Sequence, residues 1–452
     1  MLVKYLFILF CMLSMGGAGC ASHGSDAFTN PQSRPEIAAQ SLRAPRPLPQ
    51  PAPLNPTENP AGQLTLQKAL SLGLLQNPEL AAFSWEIRSA EARAVQAGLF
   101  PNPELETSVE NFGGKNDQSG FKGAETTVQV NQTIELGGKR LKRTQAAELE
   151  TALTAWDYES KRLDVFADIS VAFWDVLAAQ ESLSISHELA RLSEETYTAV
   201  VERVKAGKVP PIEALQANVS LTTARIEREQ AGFTLEAARK RLSANWGSAD
   251  SLFEAVTGEM ASISPVPELS VLSAGIAKNP DVARWATEID TKSAAVALSD
   301  AEAIPDVTIG AGPRYSNGTD DTAFVMALSV PIPLFNRNQG QRQESRHNLS
   351  KAKEAQRAAT IKAQTALGQA YQELSAAYLS ASSFGEVAVP AAETVYKSSL
   401  EGYREGKFGY PFVLEAQRTF FEVRRQYVLA LGAYHKSRVT IERLTGQPLP
   451  VK

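Results

Sequence analysis

The sequence predicts a mostly α-helical protein that also carries a membrane β-barrel, and three observations predict it. The chain repeats itself, so that one helix–β-hairpin–long helix–helix unit occurs twice. Each copy holds a very long helical run with almost no proline. Each run follows a pair of alternating segments of about ten residues, the length that a tilted strand needs to cross a bilayer. The 452 residues are 43% apolar and 21% charged, enough to bury a core. The 45 Lys and Arg nearly balance the 50 Asp and Glu, for a net charge of -5, which argues against a nucleic-acid partner.

The N-terminus reads as an export signal over residues 1–19. Lys4 precedes the apolar run from Leu6 to Phe10, and small residues from Gly16 lead to Cys20. The run is too short to be a permanent anchor. Ala18-Gly19-Cys20 resembles a bacterial lipoprotein box, with Gly17 where Leu is usual, so Cys20 is the expected lipidated residue. A cut after Ala21 that leaves no lipid is the alternative. If Cys20 is lipidated, Ala21 behind it resembles an outer-membrane sorting signal. Residues 20–63, rich in proline, read as an extended tether, and residues 447–452 as a tail beyond the last helix.

The two repeats are expected over residues 64–246 and 269–446. Asn77-Pro78-Glu79-Leu80 returns as Asn279-Pro280-Asp281-Val282, and Pro103-Glu104-Leu105-Glu106 as Pro305-Asp306-Val307-Thr308. Ile134-Glu135-Leu136 matches Ile332-Pro333-Leu334, and Leu215-Gln216-Ala217 matches Leu414-Glu415-Ala416. At each Asn-Pro step Asn caps a new helix and Pro takes its first position, where no N–H is needed. The long runs, about 139–205 and 340–405, would each extend roughly 100 Å at ~1.5 Å per residue, so they must lie in an elongated bundle. Pro390 marks a kink in the second. In the first, Leu149, Leu153, Trp156, Leu163, Phe166, Phe173 and Leu177 form a seam at steps of three and four; the second is lined with Ala. That seam fits an ordinary bundle as well as a wall shared between chains.

The strands separate the two. Leu105, Thr107 and Val109 alternate with Glu104, Glu106 and Glu110; Thr126, Val128 and Val130 alternate with Thr127, Gln129 and Asn131. In the second unit Val307, Ile309 and Ala311 alternate with polar or small residues, and Phe324, Met326, Leu328, Val330 and Ile332 share one face of the last strand. A soluble meander packed on helices is the alternative, but nothing obvious would cover both its edges. Four strands cannot close a membrane ring, so several chains must pool their hairpins. Phe100 and Phe335, where strands meet helices, are candidate rim aromatics or junction core residues.

Gln132-Thr133-Ile134-Glu135-Leu136-Gly137-Gly138-Lys139-Arg140 and Val330-Pro331-Ile332-Pro333-Leu334-Phe335-Asn336-Arg337, with the duplicated unit and the leader, resemble the TolC family of outer-membrane efflux factors. They are most similar to its CzcC/CusC-like heavy-metal branch, over about residues 64–446. The resemblance implies a homotrimer whose chains build a twelve-stranded β-barrel in the outer membrane, continued by a periplasmic α-helical barrel. It implies a passive duct served by a periplasmic membrane-fusion adaptor and an inner-membrane RND-type pump. Residues 247–268 then form the equatorial linker.

The same resemblance places the turns Gly207, Lys208, Val209, Pro210 and Gly406, Lys407, Phe408, Gly409 at the periplasmic tips, as adaptor contacts. The two lysines could equally keep an exposed turn soluble. Glu213 and Glu415 are candidate entrance acids, which in a trimer would recur as a ring that attracts cations; alternatively they are solvated acids favoured at a helix N-terminus. Phe412 stands where the first unit has Glu213.

No catalytic, cofactor or metal site is expected. Both cysteines lie in the leader region, the four histidines are scattered, and no phosphate loop or serine elbow occurs. Only Met260 and Met326 follow the signal, too few for a soft-metal relay. The function that the resemblance implies is a duct for heavy-metal cations. The alternatives are a duct for drugs or exported proteins, and a helical envelope lipoprotein without a pore.

Overall fold

The structure, a computed structural model, describes residues 62–449. The signal, Cys20 and nearly all of the tether lie outside the described residues. In chain order, β1 (Gly62–Thr65) leads into α1 (Leu66–Gln76) and α2 (Pro78–Ala97), then the hairpin β2 (Glu104–Glu110) and β3 (Glu125–Ile134). The long pair α3 (Lys139–Lys205) and α4 (Pro211–Ala244) follows, then β4 (Phe253–Thr257). The second unit runs through α5 (Leu269–Ile276), α6 (Pro280–Glu302), β5 (Val307–Ser316), β6 (Asp321–Ser329) and α7 (Gln339–Ser383). A π-helical turn (Phe384–Ala388) joins α7 to α8 (Val389–Arg404), and α9 (Tyr410–Thr445) returns.

The duplication is legible in matched joints. Asn77 Oδ1 accepts from the N–H groups of Glu79 and Leu80 at 2.9 and 3.0 Å, while its Nδ2 donates to the Asn245 carbonyl at the end of α4. Asn279 does the same in the second unit, accepting from Asp281 and donating to the Arg443 and Leu444 carbonyls at the end of α9. Each Asn thus caps one helix and ties down the last turn of another, so two sets of orphaned backbone groups are satisfied at once. Both long helices also begin behind a left-handed residue, Gly138 at φ 69 and Asn338 at φ 59. Gly and Asn are the residues that tolerate that conformation best.

The larger apolar cluster lies where α3 crosses α4, α9 and the β1–β4 pair, with Ile169, Phe173, Val176, Leu242, Phe253 and Phe421 buried. Leu367, Leu374, Tyr434 and Ile441 form a second cluster under α7 and α9. The predicted seam enters these interfaces through Leu153, Trp156, Phe173 and Leu177, all buried. Ala352 and Ala370 of the Ala-rich run are buried too.

Two features depart from the sequence reading, and a third gives the predicted kink at Pro390 its form. First, β1 pairs in parallel with β4, a two-stranded sheet between the repeats that alternation did not reveal. Gln180 of α3 grips β4 from the side, accepting from Val256 N–H at 2.8 Å and donating to its carbonyl at 3.0 Å. Second, β6 ends at Ser329, so Val330 and Ile332 lie beyond it. Pro331 and Pro333 interrupt that segment and offer no N–H to extend the ladder. Third, the second long run is broken by its π turn before Pro390, which sits in the first turn of α8. The missing N–H of Pro390 is taken up by this local rewinding.

Candidate functional site

The hairpins form one antiparallel sheet in the order β2-β3-β5-β6. Register decides which residues share a face: Leu105 opposes Val130, Val130 opposes Ala311, and Ala311 opposes Met326. One face is therefore apolar, with Leu105, Val109, Val128, Ile309, Phe324, Met326 and Leu328. Leu105 is 72% exposed and Met326 76%, which in water would be costly over so large a patch. The other face carries Glu104, Glu106, Glu110, Glu125 and Asp321 against a lone Arg314, the one basic residue on these strands. Arg314 is itself paired with Glu125 at 3.3 Å. Glu106 accepts from Gln129 at 2.8 Å and Asn131 at 2.7 Å. Gly310 and Gly312 lie on this face because β3 presses on it: a Cβ at Gly312 would sit 1.9 Å from the Val128 carbonyl oxygen. Both outer strands, β2 and β6, keep a free edge within the chain.

Below the sheet, strand hands over to helix through buttressed turns. Asp306 accepts from Lys139 Nζ at 2.7 Å and from the Leu136 N–H at 2.9 Å. Arg143 holds Glu135 through both terminal guanidinium nitrogens, at 2.6 and 3.1 Å, and donates from Nε to the Ala97 carbonyl.

At the far end the chain reverses twice through turns of one design. Gly207 at φ 68 and Gly406 at φ 77 follow the last turns of α3 and α8. Lys208 N–H donates to the Arg203 carbonyl at 2.9 Å, and Lys407 N–H to that of Gly402 at 2.7 Å. A glycine in the left-handed region lets the next N–H reach back to a freed helix carbonyl. Pro210 then caps α4 and Gly409 caps α9. Gly207, Lys208, Gly406, Lys407, Phe408 and Gly409 are exposed, and Val209 is half-buried. Lys407 pairs with Glu405 at 2.5 Å. The Phe408 and Phe412 rings stack at 5.4 Å, and Phe408 fills the space left by Gly402, whose added Cβ would meet the ring at 2.3 Å.

The two candidate entrance acids are not equivalent. Glu415 is exposed on α9. Glu213 turns inward, with one buried carboxylate oxygen that makes no hydrogen bond. It lies near Tyr403 of the other repeat, whose phenol is held protonated chiefly by burial, with Glu213 adding to the effect and Arg203 opposing it. Arg203 donates to the Tyr403 carbonyl at 3.0 Å and its guanidinium lies 4.3 Å from the Tyr403 ring centre. Tyr410 packs beside Tyr403 with its phenol pushed by burial up to about 12. Arg203 and Tyr403 thus join the two tips, a contact the sequence reading missed; their only signal was a place one turn before each tip glycine.

Among the described residues no group of His, Cys, Asp or Glu is arranged to hold a metal ion, and no helix is long and apolar enough to cross a membrane.

The sequence profile of the family described as "Outer membrane efflux protein" matches this chain twice, over residues 69–248 and 271–447. The chain belongs to that family. It is an outer-membrane efflux channel. The cobalt-zinc-cadmium resistance protein CzcC of Cupriavidus metallidurans is 33% identical over 387 residues, 86% of this chain and 91% of that protein. The nickel-cobalt-cadmium resistance protein NccC of Alcaligenes xylosoxydans is 27% identical over 282 residues, 62% of each. Among solved structures, CusC superposes with a TM-score of 0.67 at 16% identity, over 84% of this chain and 92% of that one. VceC of Vibrio cholerae superposes at 0.69 with 18% identity, over 85% and 97%. These structures share the fold of this outer membrane efflux protein: mostly helical, with a four-stranded antiparallel sheet.

Proposed function

We propose that this efflux channel carries heavy-metal cations, as a homotrimer whose three sheets close a twelve-stranded barrel. The observation that carries the reading is the two-faced sheet, apolar on one side and acidic on the other, with both edges open. Joining β2 of one copy to β6 of the next would satisfy the edge groups that a bilayer leaves unpaired. It would also turn the acids inward, where a ring of one sign draws cations and repels anions. The relatives named for cobalt, zinc, cadmium and nickel resistance support cations as cargo.

In this reading the channel moves nothing by itself. An inner-membrane RND-type pump supplies the energy, and a periplasmic adaptor meets the turns around Lys208 and Lys407, which offer exposed backbone, two cations and the Phe408–Phe412 stack. Glu213 serves closure and Glu415 faces the entrance. Residues 1–19 are removed, Cys20 carries the lipid, and the tether up to residue 63 reaches the first repeat. The chain catalyses no reaction.

Growth of a deletion strain on zinc, cobalt, cadmium, copper and silver, with an organic dye as control, tests the cargo. Hypersensitivity to metals alone, restored by the intact gene, is the expected result. Unchanged metal tolerance with dye sensitivity moves the channel to drug export.

A further inference from the structure

In the row of helices next to the sheet, α2 packs on α3, α3 on α6 and α6 on α7, the order of the strands they adjoin. Thus α6 lies between two long helices, whereas α2 packs on one. Counted from the two Asn caps, Ala283, Thr287, Thr291 and Ala294 of α6 correspond to Ala81, Trp85, Ser89 and Ala92 of α2. The four on α6 are buried; the four on α2 are exposed, Trp85 by 64%. On the α6 stripe, Thr287 Oγ1 accepts from the Trp156 indole of α3 at 3.1 Å, and Arg284 pairs with Asp157 of α3 at 3.1 Å. The Asp157 carboxyl is pushed up chiefly by burial, with Arg284 opposing and the nearby Glu288 adding to the effect. Counted from the left-handed caps Gly138 and Asn338, Trp156 and Asp157 correspond to Gln356 and Arg357 of α7. Arg357 is exposed and has no ion pair among the described residues.

We propose that the bare face of α2 is a docking surface for α7 of a second copy of this chain, with Trp85 seated beside Gln356 and Glu86 facing Arg357. The inference deepens the assembly proposed above and rests on it. Within one chain, the β3–β5 pairing sets α3, which follows β3, beside α6, which precedes β5. Pairing β6 of one copy with β2 of the next sets α7 beside α2 in the same way, a head-to-tail contact that closes a ring. The contact between copies then repeats the contact within a chain, with sizes and charges exchanged. Inside the chain the bulky ring stands on the long helix and meets Thr287; between copies it stands on the short helix and meets Gln356. Glu86 takes the place of Glu288 and Arg357 that of Asp157, so two neighbouring acids become an acid and a base. The bond of Glu86 to Arg93 in its own chain, at 3.1 Å, is more than half exposed at both ends and weak. A buried Trp is the side chain best suited to anchor such a contact. The exchange also selects the partner: α6 set on a foreign α7 would oppose Thr287 to Gln356 and leave a gap where the ring belongs.

The test co-expresses two full-length chains with different tags, one carrying Trp85→Cys and the other Gln356→Cys, and treats the membranes with a short bismaleimide. The expected result is a band of two chains on a denaturing gel that carries both tags, absent when either chain is expressed alone. With both substitutions in one chain, most of the protein should move to bands of two and three chains. An assembled oligomer that gives no such bands would overturn the proposal, as would a link confined to one chain. A link to a protein of another mass would overturn it too, by giving this face to a different partner. Failure of the assembly reading itself looks different: native mass spectrometry of the detergent-extracted protein without these substitutions would show a single chain.

Discussion

Trp174 of α3 and His435 of α9 lie ring on ring, with centroids 3.7 Å apart and planes 8° from parallel. On its other side His435 donates from Nε2 to the Met260 carbonyl at 2.8 Å, while Nδ1 is buried without a partner. Beside it, Tyr434 accepts from the Ser264 N–H and donates to the Ser264 carbonyl, both at 2.9 Å. Consecutive residues of one helix thus hold the segment between the repeats against α3.

Burial keeps His435 neutral, with its pKa lowered from 6.5 to about 4. The unfolded chain therefore binds this proton first. The stability His435 contributes is fully present above about 6.5 and is lost as pH falls toward 4, by about 3 kcal/mol in all. Thermal midpoints of the detergent-solubilised channel at pH 7.5 and 4.5 check it. His435→Gln should show a clearly smaller pH-dependent drop than the intact protein.

Arg203→Ala removes both the hydrogen bond to the Tyr403 carbonyl and the cation on its ring, so the tips should part more readily. Single-channel recordings should show several-fold longer open times. Glu213→Gln should act in the same assay, whereas Glu415→Gln, exposed and apart from this contact, should leave open times unchanged.

Glu104, Glu106 and Glu110 supply most of the charge on the polar face of the sheet. Replacing all three with Gln should reduce the permeability of potassium relative to chloride in a planar bilayer, most clearly at low salt, where screening is weak. Open times should not move. An unchanged reversal potential would place selectivity elsewhere.

Gly312→Val should prevent the β3–β5 pairing, because its Cβ would fall on the Val128 carbonyl. The measurement is the yield of heat-modifiable oligomer in outer-membrane fractions, expected to approach zero. Gly340→Ala, where nothing lies within 4 Å of the added atom, is the matched control and should assemble normally.

Asn279→Ala removes the cap of α6 and leaves the last carbonyls of α9 without their donor. A loss of about 1–2 kcal/mol is expected from the cap, read as a lowered thermal midpoint. Asn77→Ala should match it, since the joint is duplicated.

The sequence made the repeated parts legible because they obey local rules. Asn before Pro announced two helix starts, and alternation announced the apolar and acidic faces of β2 and β3. What stayed hidden was decided at long range. β1 is four residues long and β4 five, too short to show a period, and they come together only because α3 brings Gln180 between the repeats. The length of β6 was overread because Ile332 fits the alternation, while Pro331 and Pro333 forbid the pairing. Glu213 and Glu415 look alike as early acids of return helices; only packing against Tyr403 turns one inward. Arg203 and Tyr403 are distant in sequence, and nothing local joins them.

The open edges of β2 and β6 carry a genetic consequence. A ring closed by strands from several copies has no complete part that one copy can supply. A chain that still offers both edges but is blocked at its tips would enter rings with intact chains and obstruct each ring it joined. Co-expressed with the normal gene, such an allele should be dominant. Gly312→Val, unable to complete its own sheet, should be recessive.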